Sequence, residues 1–175
     1  VSINLSALDL QNLQLPALIG RCLTAHNISA EHLVLEITES AIMQDPQSAR
    51  ILLGLLRSAG FRIAIDDFGT GYSSLAQLKC LPLDELKIDK SFVLELTACS
   101  QDAVIVKSTI DLAHSMNLQV IAEGIETLEA LNLLQSFGCD QGQGYFFHKA
   151  MTASDFEHWH KTNRHVDLVG KDNAA

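Results

Sequence analysis

The chain has 175 residues, of which 47% are hydrophobic and 19% are charged, as in a single globular domain. No apolar run approaches the roughly 20 residues that a membrane-spanning helix requires, which excludes such a helix. The formal net charge of -9 disfavours binding of a DNA or RNA polymer through many phosphate contacts. The chain starts at Val1 in a strand-like segment without an initiator Met or a signal sequence, which indicates a fragment of a longer protein.

Short apolar strands alternate with helical stretches along the chain, a rhythm typical of βα units and a mainly parallel sheet. The predicted strands span residues 1–5, 33–37, 62–66, 85–88, 119–122 and 144–147. A closed (β/α)₈ barrel has eight strands. The predicted fold class is therefore α/β, a TIM-like (β/α) barrel that is N-terminally truncated, with about six of eight strands present.

One predicted helix has clear signals at both ends. Asp45 is a favourable N-cap, Pro46 suits the first helical position, and Gly60 suits the left-handed residue after the helix. Two further helices are predicted over residues 102–116 and 127–137, the latter capped by Thr127 and closed by Gly138. The residues predicted to be buried in the 102–116 helix are Val104, Ile105, Ile110, Leu112 and Ala113.

The last predicted helix is capped by Thr152 or Ser154 and contains Phe156 and Trp159. Apolar periodicity is lost after it. We therefore expect one domain over residues 1–160 and a poorly ordered polar tail over residues 161–175.

The four cysteines are far apart and contain no CxxC pair, a pattern that favours reduced thiols over a disulfide framework or a zinc site. They are Cys22, Cys80, Cys99 and Cys139. Reduced thiols favour a cytoplasmic location for this domain. These residues do not decide whether an upstream region anchors the parent protein to a membrane.

Polar residues recur at the carboxyl ends of the predicted strands, the edge where barrel enzymes build their sites. In chain order they are Asn4, Glu36, Asp66, Asp67, Lys87, Glu123 and Gln143. A single carboxylate at such a position is usually a helix N-cap or a solvated turn residue. The recurrence on successive strands instead favours one shared site.

Carboxylates that converge at such a site require positive charge. Two like charges about 4 Å apart repel by ~4 kcal/mol at an effective dielectric near 20. Lys87 supplies a single positive charge, so the pattern predicts divalent metal. Carboxylate and amide oxygens without Cys or His favour Mg²⁺, Mn²⁺ or Ca²⁺ over Zn²⁺. Adjacent Asp66 and Asp67 suit two ions, one of them bridged by Asp66.

Five segments and their order carry a specific resemblance. They are VLEITES at 34–40, IDDFGTGYSSL at 65–75, LKIDKSFV at 86–93, IAEGIET at 121–127 and CDQGQGYFFHK at 139–149. With NLS at 4–6, they resemble the EAL family of cyclic di-GMP phosphodiesterases over about residues 1–160. Ala150 stands where that family usually has Pro.

The resemblance implies two metal ions, Mg²⁺ or Mn²⁺, with Ca²⁺ expected to inhibit. Asn4, Glu36 and Asp66 are similar to ligands of the first metal, which the glutamate of the EAL tripeptide completes in the family. The strand that bears this tripeptide in the family is missing from this chain, so the 175 residues alone are expected to be inactive. Asp66 and Asp67 are similar to ligands of the second metal, and Glu123 to an acid that binds metal or water.

The implied reaction opens cyclic di-GMP to linear pGpG by in-line attack of metal-activated water on phosphorus. Lys87 resembles the lysine that holds the attacking water and the substrate phosphate. Glu123 and Glu126 resemble further catalytic positions, with Glu123 a candidate general base, and Gln143 resembles a substrate-binding position.

The loop after the paired aspartates has two readings. Its two glycines suit a tight βα turn and nothing more. In the family the corresponding loop, here Phe68, Gly69, Thr70, Gly71 and Tyr72, couples the metal site to dimer contacts. Glu39 resembles the glutamate that steadies it, and a homodimer is expected.

Three functions remain open on the sequence alone. The first is an active phosphodiesterase in a parent protein that also carries an upstream sensory or GGDEF-type domain. The second is a catalytically inactive EAL domain that serves as a cyclic di-GMP receptor or protein-interaction module. The third, a scaffold barrel without ligand, is disfavoured by the cost of clustering carboxylates.

Overall fold

The computed structural model describes residues 1–71 and 75–162, with the backbone alone at residues 75 and 76. Its centre is a parallel sheet whose six strands follow one another in chain order. The strands are β1 Ser2–Leu5, β2 Val34–Thr38, β3 Arg62–Phe68, β4 Glu85–Ile88, β5 Gln119–Ala122 and β6 Gln141–Gly142. Consecutive parallel strands joined by crossovers are the arrangement of a TIM-like barrel, here six strands of it.

Seven helices are described. They are α1 Leu15–Ala25, α2 Glu39–Gln44, α3 Pro46–Ser58, α4 Leu75–Leu78, α5 Gln101–Ser115, α6 Leu128–Ser136 and α7 Ala153–Thr162. Short 3-10 turns span Asp9–Gln11, Ala30–His32 and Lys90–Phe92. Within the described part of the chain, no helix is long and apolar enough to cross a bilayer. The four cysteines are free thiols.

The first five predicted strands are confirmed to within two residues at either end, and the sixth is wrong. Residues 144–147 form a turn in which the Phe147 N–H donates to the Gly144 carbonyl at 3.1 Å. The strand lies earlier, at Gln141–Gly142. The aromatic residues Tyr145 and Phe146 suggested a strand, but both side chains are exposed instead of packed on a pleated surface.

The signals at the ends of α3 and α6 are confirmed. Asp45 accepts a hydrogen bond from the Ser48 N–H at 3.1 Å, and Gly60 has a left-handed φ of 91° after α3. Thr127 accepts from the Ala130 N–H at 3.1 Å at the start of α6. α7 ends at Thr162, and the predicted disordered tail beyond it lies outside the described residues.

The predicted inner face of α5 is partly wrong. Ile110 and Ala113 are fully buried as predicted, but Val104 is 68% exposed and Ile105 is 43% exposed. The helix instead buries Ala103 and Val106, which share the inner face with Ile110 and Ala113 at helical spacing. Small Ala103 faces inward, so side-chain size did not indicate the buried face.

The two faces of the sheet differ in chemistry. One face is apolar and joins the core beneath the helices through Leu35, Ile37, Ile63, Ile65, Leu86 and Ile88. Because side chains alternate along a strand, the intervening residues face the barrel interior. Those intervening positions include the buried charged residues Glu36, Glu85 and Lys87. Among the described residues, Glu39 at the start of α2 is a further buried charged residue.

The cap at Asp45 provides a test of the fold. Asp45→Ala is expected to lower the free energy of unfolding by about 1 kcal/mol, because the Ser48 N–H loses its partner. Asp111→Ala is the control, since this exposed acid lies within α5 and forms only an ion pair with Lys107. Urea unfolding of both variants checks the prediction. Equal losses in the two variants would contradict the assigned cap.

Candidate active site

The described structure gathers three carboxylates around the ammonium group of Lys87. Lys87 Nζ lies 2.6 Å from Glu123 Oε1, 2.9 Å from Glu36 Oε2 and 3.0 Å from Asp66 Oδ1. The Lys87 side chain is only 6% exposed, and the three acids are also largely shielded. Four of the predicted site residues, from four successive strands or the residues that follow them, thus form one cluster.

The strand register explains why these residues meet. Asn4 on β1 lies beside Glu36 on β2, and Thr38 at the end of β2 lies beside Asp66 on β3. Glu123 directly follows β5, and its N–H donates to the Ile88 carbonyl of β4 at 3.2 Å. Parallel strands bring their carboxyl ends to one edge, so polar residues at those ends become neighbours. Asn4 itself is exposed.

Charges within the cluster oppose the cost of burial. Burial alone would lower the pKa of Lys87, but hydrogen bonds to Glu123, Glu36 and Asp66 raise it above the ordinary value. Lys87 is therefore protonated throughout the physiological range. Burial raises the pKa of Glu123 most strongly and the charges of Asp66 and Glu36 add to it, although Lys87 opposes the shift.

A second carboxylate pair lies next to this cluster. Burial, followed by the charges of Asp66 and Asp89, raises the pKa of Asp67, which is hydrogen-bonded to Asp89. Burial would also raise the pKa of Asp89, but hydrogen bonds from Ser91 and Asp67 hold it below its ordinary value. The sequence analysis assigned no role to Asp89. Its position just after β4, matching Asp66 near the end of β3, is the signal that was available.

The backbone turns sharply at the end of β3. Asp67 has a left-handed φ of 54°, and its N–H donates to Asp66 Oδ1 at 3.0 Å. A non-glycine residue in this region is uncommon and is often found at functional sites. The Thr70 hydroxyl donates to the Asp67 carbonyl at 2.8 Å and so closes the turn that begins at Phe68 and Gly69.

The Glu39 side chain holds the loop after β3 by binding backbone N–H groups of that loop. The buried Glu39 carboxylate accepts from the Gly69 N–H at 3.3 Å and from the Gly71 N–H at 3.2 Å. A β-carbon at Gly71 would lie 2.8 Å from Glu39 Cδ, so a larger residue there would displace the Glu39 carboxylate. Tyr72, predicted to belong to this coupling loop, lies outside the described residues.

Two predicted site residues stand apart from the cluster. Glu126 and Gln143 are both exposed. Gln143 is held through its backbone, since its N–H donates to the Ala122 carbonyl at 2.9 Å and its carbonyl accepts from the Ile125 N–H at 3.0 Å. Both lie at the same edge of the sheet as Glu123. Their roles in catalysis and substrate binding stay predictions.

The donor chemistry of the cluster fits a hard divalent cation. Carboxylate oxygens of Glu36, Asp66 and Glu123 already converge within 3.0 Å of one point, and Asn4 is the β1 partner of Glu36 in the strand register. That point is held by the Lys87 ammonium. Across residues 1–71 and 75–162, no group of three or more Asp, Glu, His or Cys side chains is arranged as a ready metal site, and this includes the cluster around Lys87.

The chain matches the EAL domain family over residues 1–150. It belongs to the EAL domain family. A bifunctional diguanylate cyclase/cyclic di-GMP phosphodiesterase, MucR of Pseudomonas aeruginosa, is 42% identical to this EAL domain over 153 residues, which are 87% of the chain and 22% of MucR. The domain spans about a fifth of the length of the curated relatives that it matches.

Solved structures confirm the barrel fold. The MucR phosphodiesterase in complex with c-di-GMP superposes with a TM-score of 0.84 at 41% identity, covering 89% of this chain and 69% of that one. Klebsiella pneumoniae BlrP1, in a manganese and c-di-GMP complex at pH 6, gives a TM-score of 0.77 at 32% identity, covering 85% and 38%. BlrP1 is also known in a calcium and c-di-GMP complex.

Proposed function

We propose that this EAL domain hydrolyses cyclic di-GMP to linear pGpG with the help of two divalent cations, Mg²⁺ or Mn²⁺. The observation that carries the proposal is the convergence of Glu36, Asp66 and Glu123 on Lys87 at the carboxyl edge of the sheet. Family membership and the c-di-GMP complexes of MucR and BlrP1 support the choice of substrate.

Lys87 has two tasks in the proposed reaction. Its ammonium remains charged because hydrogen bonds to three carboxylates raise its pKa. If the cations took up the carboxylates of Glu36 and Asp66, two of its three N–H groups would be released to donate to a non-bridging phosphate oxygen and to the attacking water. Burial restricts Lys87 to one position, which directs these hydrogen bonds. Pre-oriented charge of this kind stabilises the negative charge that grows on the phosphoryl oxygens in the transition state.

Glu123 accepts the proton that the attacking water releases. Burial raises its pKa above the ordinary value, which makes the carboxylate a stronger base, and its 2.6 Å contact with Lys87 fixes its direction. Glu126 is the further acid at this edge in the proposal. Gln143 binds substrate from the neighbouring loop.

Asn4, Glu36 and Asp66 would hold the first cation, and Asp66 and Asp67, with Glu123, the second. When bound, the cations supply Lewis acidity to the water and to the phosphate oxygens. The carboxylates would hold both cations at the edge where Lys87 lies. Adjacent Asp66 and Asp67 are linked by the hydrogen bond from the Asp67 N–H, so the two positions are set by one backbone turn.

The proposal extends to the assembly. The domain forms a homodimer, and the loop Phe68–Tyr72 couples dimer contacts to the metal site through Glu39, which binds its backbone. A sensory or GGDEF-type domain precedes it in the parent protein, as the bifunctional name of MucR suggests for that relative. The free thiols fit a reducing cytoplasm.

Turnover measurements on the full-length protein test the proposed function. With Mg²⁺ or Mn²⁺, cyclic di-GMP is expected to give linear pGpG, and chelation of the metal should stop the reaction. Ca²⁺ should fail to support turnover and should inhibit in the presence of Mg²⁺, because it prefers higher and looser coordination. Tight binding of cyclic di-GMP without hydrolysis would refute the enzyme and favour a receptor.

A further inference from the structure

The loop that carries Glu123 lies against its neighbour at a distance that only glycine permits. Gly124 has a left-handed φ of 72°. A β-carbon at this position would lie 2.5 Å from Lys90 Cβ and 3.2 Å from Lys90 Cα. Any other residue would therefore force the loop away from the 3-10 turn Lys90–Phe92 that follows β4.

The opposite side of the same loop is equally close to the loop after β6. A β-carbon at Gly144 would lie 2.1 Å from the Ile125 carbonyl oxygen and 2.3 Å from the Ile125 nitrogen. Two hydrogen bonds hold this contact, from the Ile125 N–H to the Gln143 carbonyl at 3.0 Å and from the Phe146 N–H to the Ile125 carbonyl at 2.9 Å. The Ile125 side chain is fully buried.

Glu123 is the residue whose position these contacts determine. Its N–H is held by the Ile88 carbonyl at 3.2 Å, and the next residue along the chain, Gly124, rests on Lys90. Its carboxylate reaches Lys87 at 2.6 Å, the shortest of the three contacts around the ammonium. A shift of the loop by the width of a methyl group would break this contact.

We propose that Gly124 and Gly144 are positioning residues, whose missing β-carbons let the loop between them hold the Glu123 carboxylate on Lys87. The inference rests on the proposed function, in which Glu123 and Lys87 act together on the substrate. The inference adds a structural reason why the Glu123 carboxylate contacts Lys87. The loop is fixed from both sides by contacts between backbones, so small changes at either glycine act on catalysis through Glu123.

Gly138 provides a matched control for Gly124. It also has a left-handed φ, 82°, but no heavy atom lies within 4 Å of the β-carbon that alanine would add. Gly138→Ala therefore introduces the same backbone strain without a clash and at a distance from Glu123. A lower kcat in Gly124→Ala than in Gly138→Ala therefore reports the contact of Gly124 with Lys90.

The test measures kcat and KM for cyclic di-GMP with Mg²⁺ in the full-length protein. Gly124→Ala and Glu123→Gln are each expected to lower kcat by about 10²-fold, and Gly124→Ala should leave KM near the wild-type value. Gly138→Ala should keep the wild-type kcat. The double variant Gly124→Ala/Glu123→Gln should be no slower than Glu123→Gln alone, because Gly124 acts through Glu123. If the fold losses of kcat in the two single variants multiplied in the double variant, the inference would be overturned.

Rescue provides a second arm, which remains informative if Gly124→Ala folds poorly. Lys90→Gly removes the β-carbon that the new methyl group would meet, so Gly124→Ala/Lys90→Gly is expected to regain folding and most of the lost kcat. Absence of any rescue would overturn the inference.

Crystal structures give a readout that does not depend on turnover. In Gly124→Ala, Glu123 Oε1 should lie beyond hydrogen-bond distance from Lys87 Nζ, whereas in Gly138→Ala it should stay there. Glu123 unmoved in Gly124→Ala would overturn the positioning role even if the wild type is active. A different result separates the two claims. If the wild type does not turn over cyclic di-GMP but Glu123 is displaced in Gly124→Ala, the proposed function is rejected and the positioning role is upheld.

Discussion

Lys87→Met is expected to lower the free energy of unfolding by about 3–5 kcal/mol, the usual cost of removing one partner from a buried ionic cluster. Methionine matches the lysine side chain as far as Cε, so the loss reports mainly the ammonium group and not the packing of the chain that carries it. Glu36, Asp66 and Glu123 would face one another without a neutralising charge, although each now lies within 3.0 Å of Lys87 Nζ. Urea unfolding at neutral pH without added metal measures the effect.

Two further results distinguish this charge effect from a packing defect. The stability loss should be smaller at pH 5 than at pH 8, because Glu123, whose pKa is raised by burial, is the more readily protonated at the lower pH and its repulsion of the neighbouring acids then falls. Added Mn²⁺ should recover part of it. Lys107→Met is the control, since the exposed ion pair of Lys107 with Asp111 on α5 contributes about 0.3–0.5 kcal/mol. Equal losses for Lys87→Met and Lys107→Met would contradict the cluster.

Asp66→Asn is expected to reduce turnover of cyclic di-GMP by about 10²–10³-fold, with little effect on folding. The amide has the shape of the carboxylate and still accepts the hydrogen bond from the Asp67 N–H, so the turn after β3 should persist. The charge that contacts Lys87 at 3.0 Å and is shared by both proposed cations is lost. Steady-state kinetics with Mg²⁺ measure the change.

Asp84→Asn is the matched control for this substitution. Asp84 directly precedes β4, at the opposite edge of the sheet, where it accepts from the Ile63 N–H at 3.0 Å and pairs with Arg57 at 3.2 Å. This variant should lose some stability and keep its turnover number. Unchanged turnover in Asp66→Asn, or an equal fall in Asp84→Asn, would contradict the placement of the site.

Local chemistry made some elements predictable. Asp45, Pro46 and Gly60 act within a few residues of one another, so their signals marked α3 without knowledge of the fold. The first five strands were predictable because each is a short apolar run between breaks. α1 was missed because its N-cap position, Gln14, makes no side-chain capping bond that could mark its start.

Predictions failed where neighbours in space decide the outcome. Val104 and Ile105 are apolar yet face outward, because the inner face of α5 is set by its fit to the sheet. The turn at Gly144 depends on Ile125, a contact that no local pattern reveals. The site itself was largely predictable, since parallel topology brings the strand ends to one edge. The contact of Lys87 with three acids at once could not be predicted, because it depends on the positions of four separate segments of the chain in space.

Crystals of the full-length protein soaked in Mn²⁺ test the central claim most directly, because anomalous scattering locates manganese independently of the surrounding atoms. We predict manganese at coordination distance from the carboxylate of Asp66, with an oxygen of Glu36 on a first ion and an oxygen of Asp67 on a second. Manganese bound only elsewhere on the protein, with Glu36 and Asp66 turned away from each other, would contradict a shared cation site at this edge of the sheet.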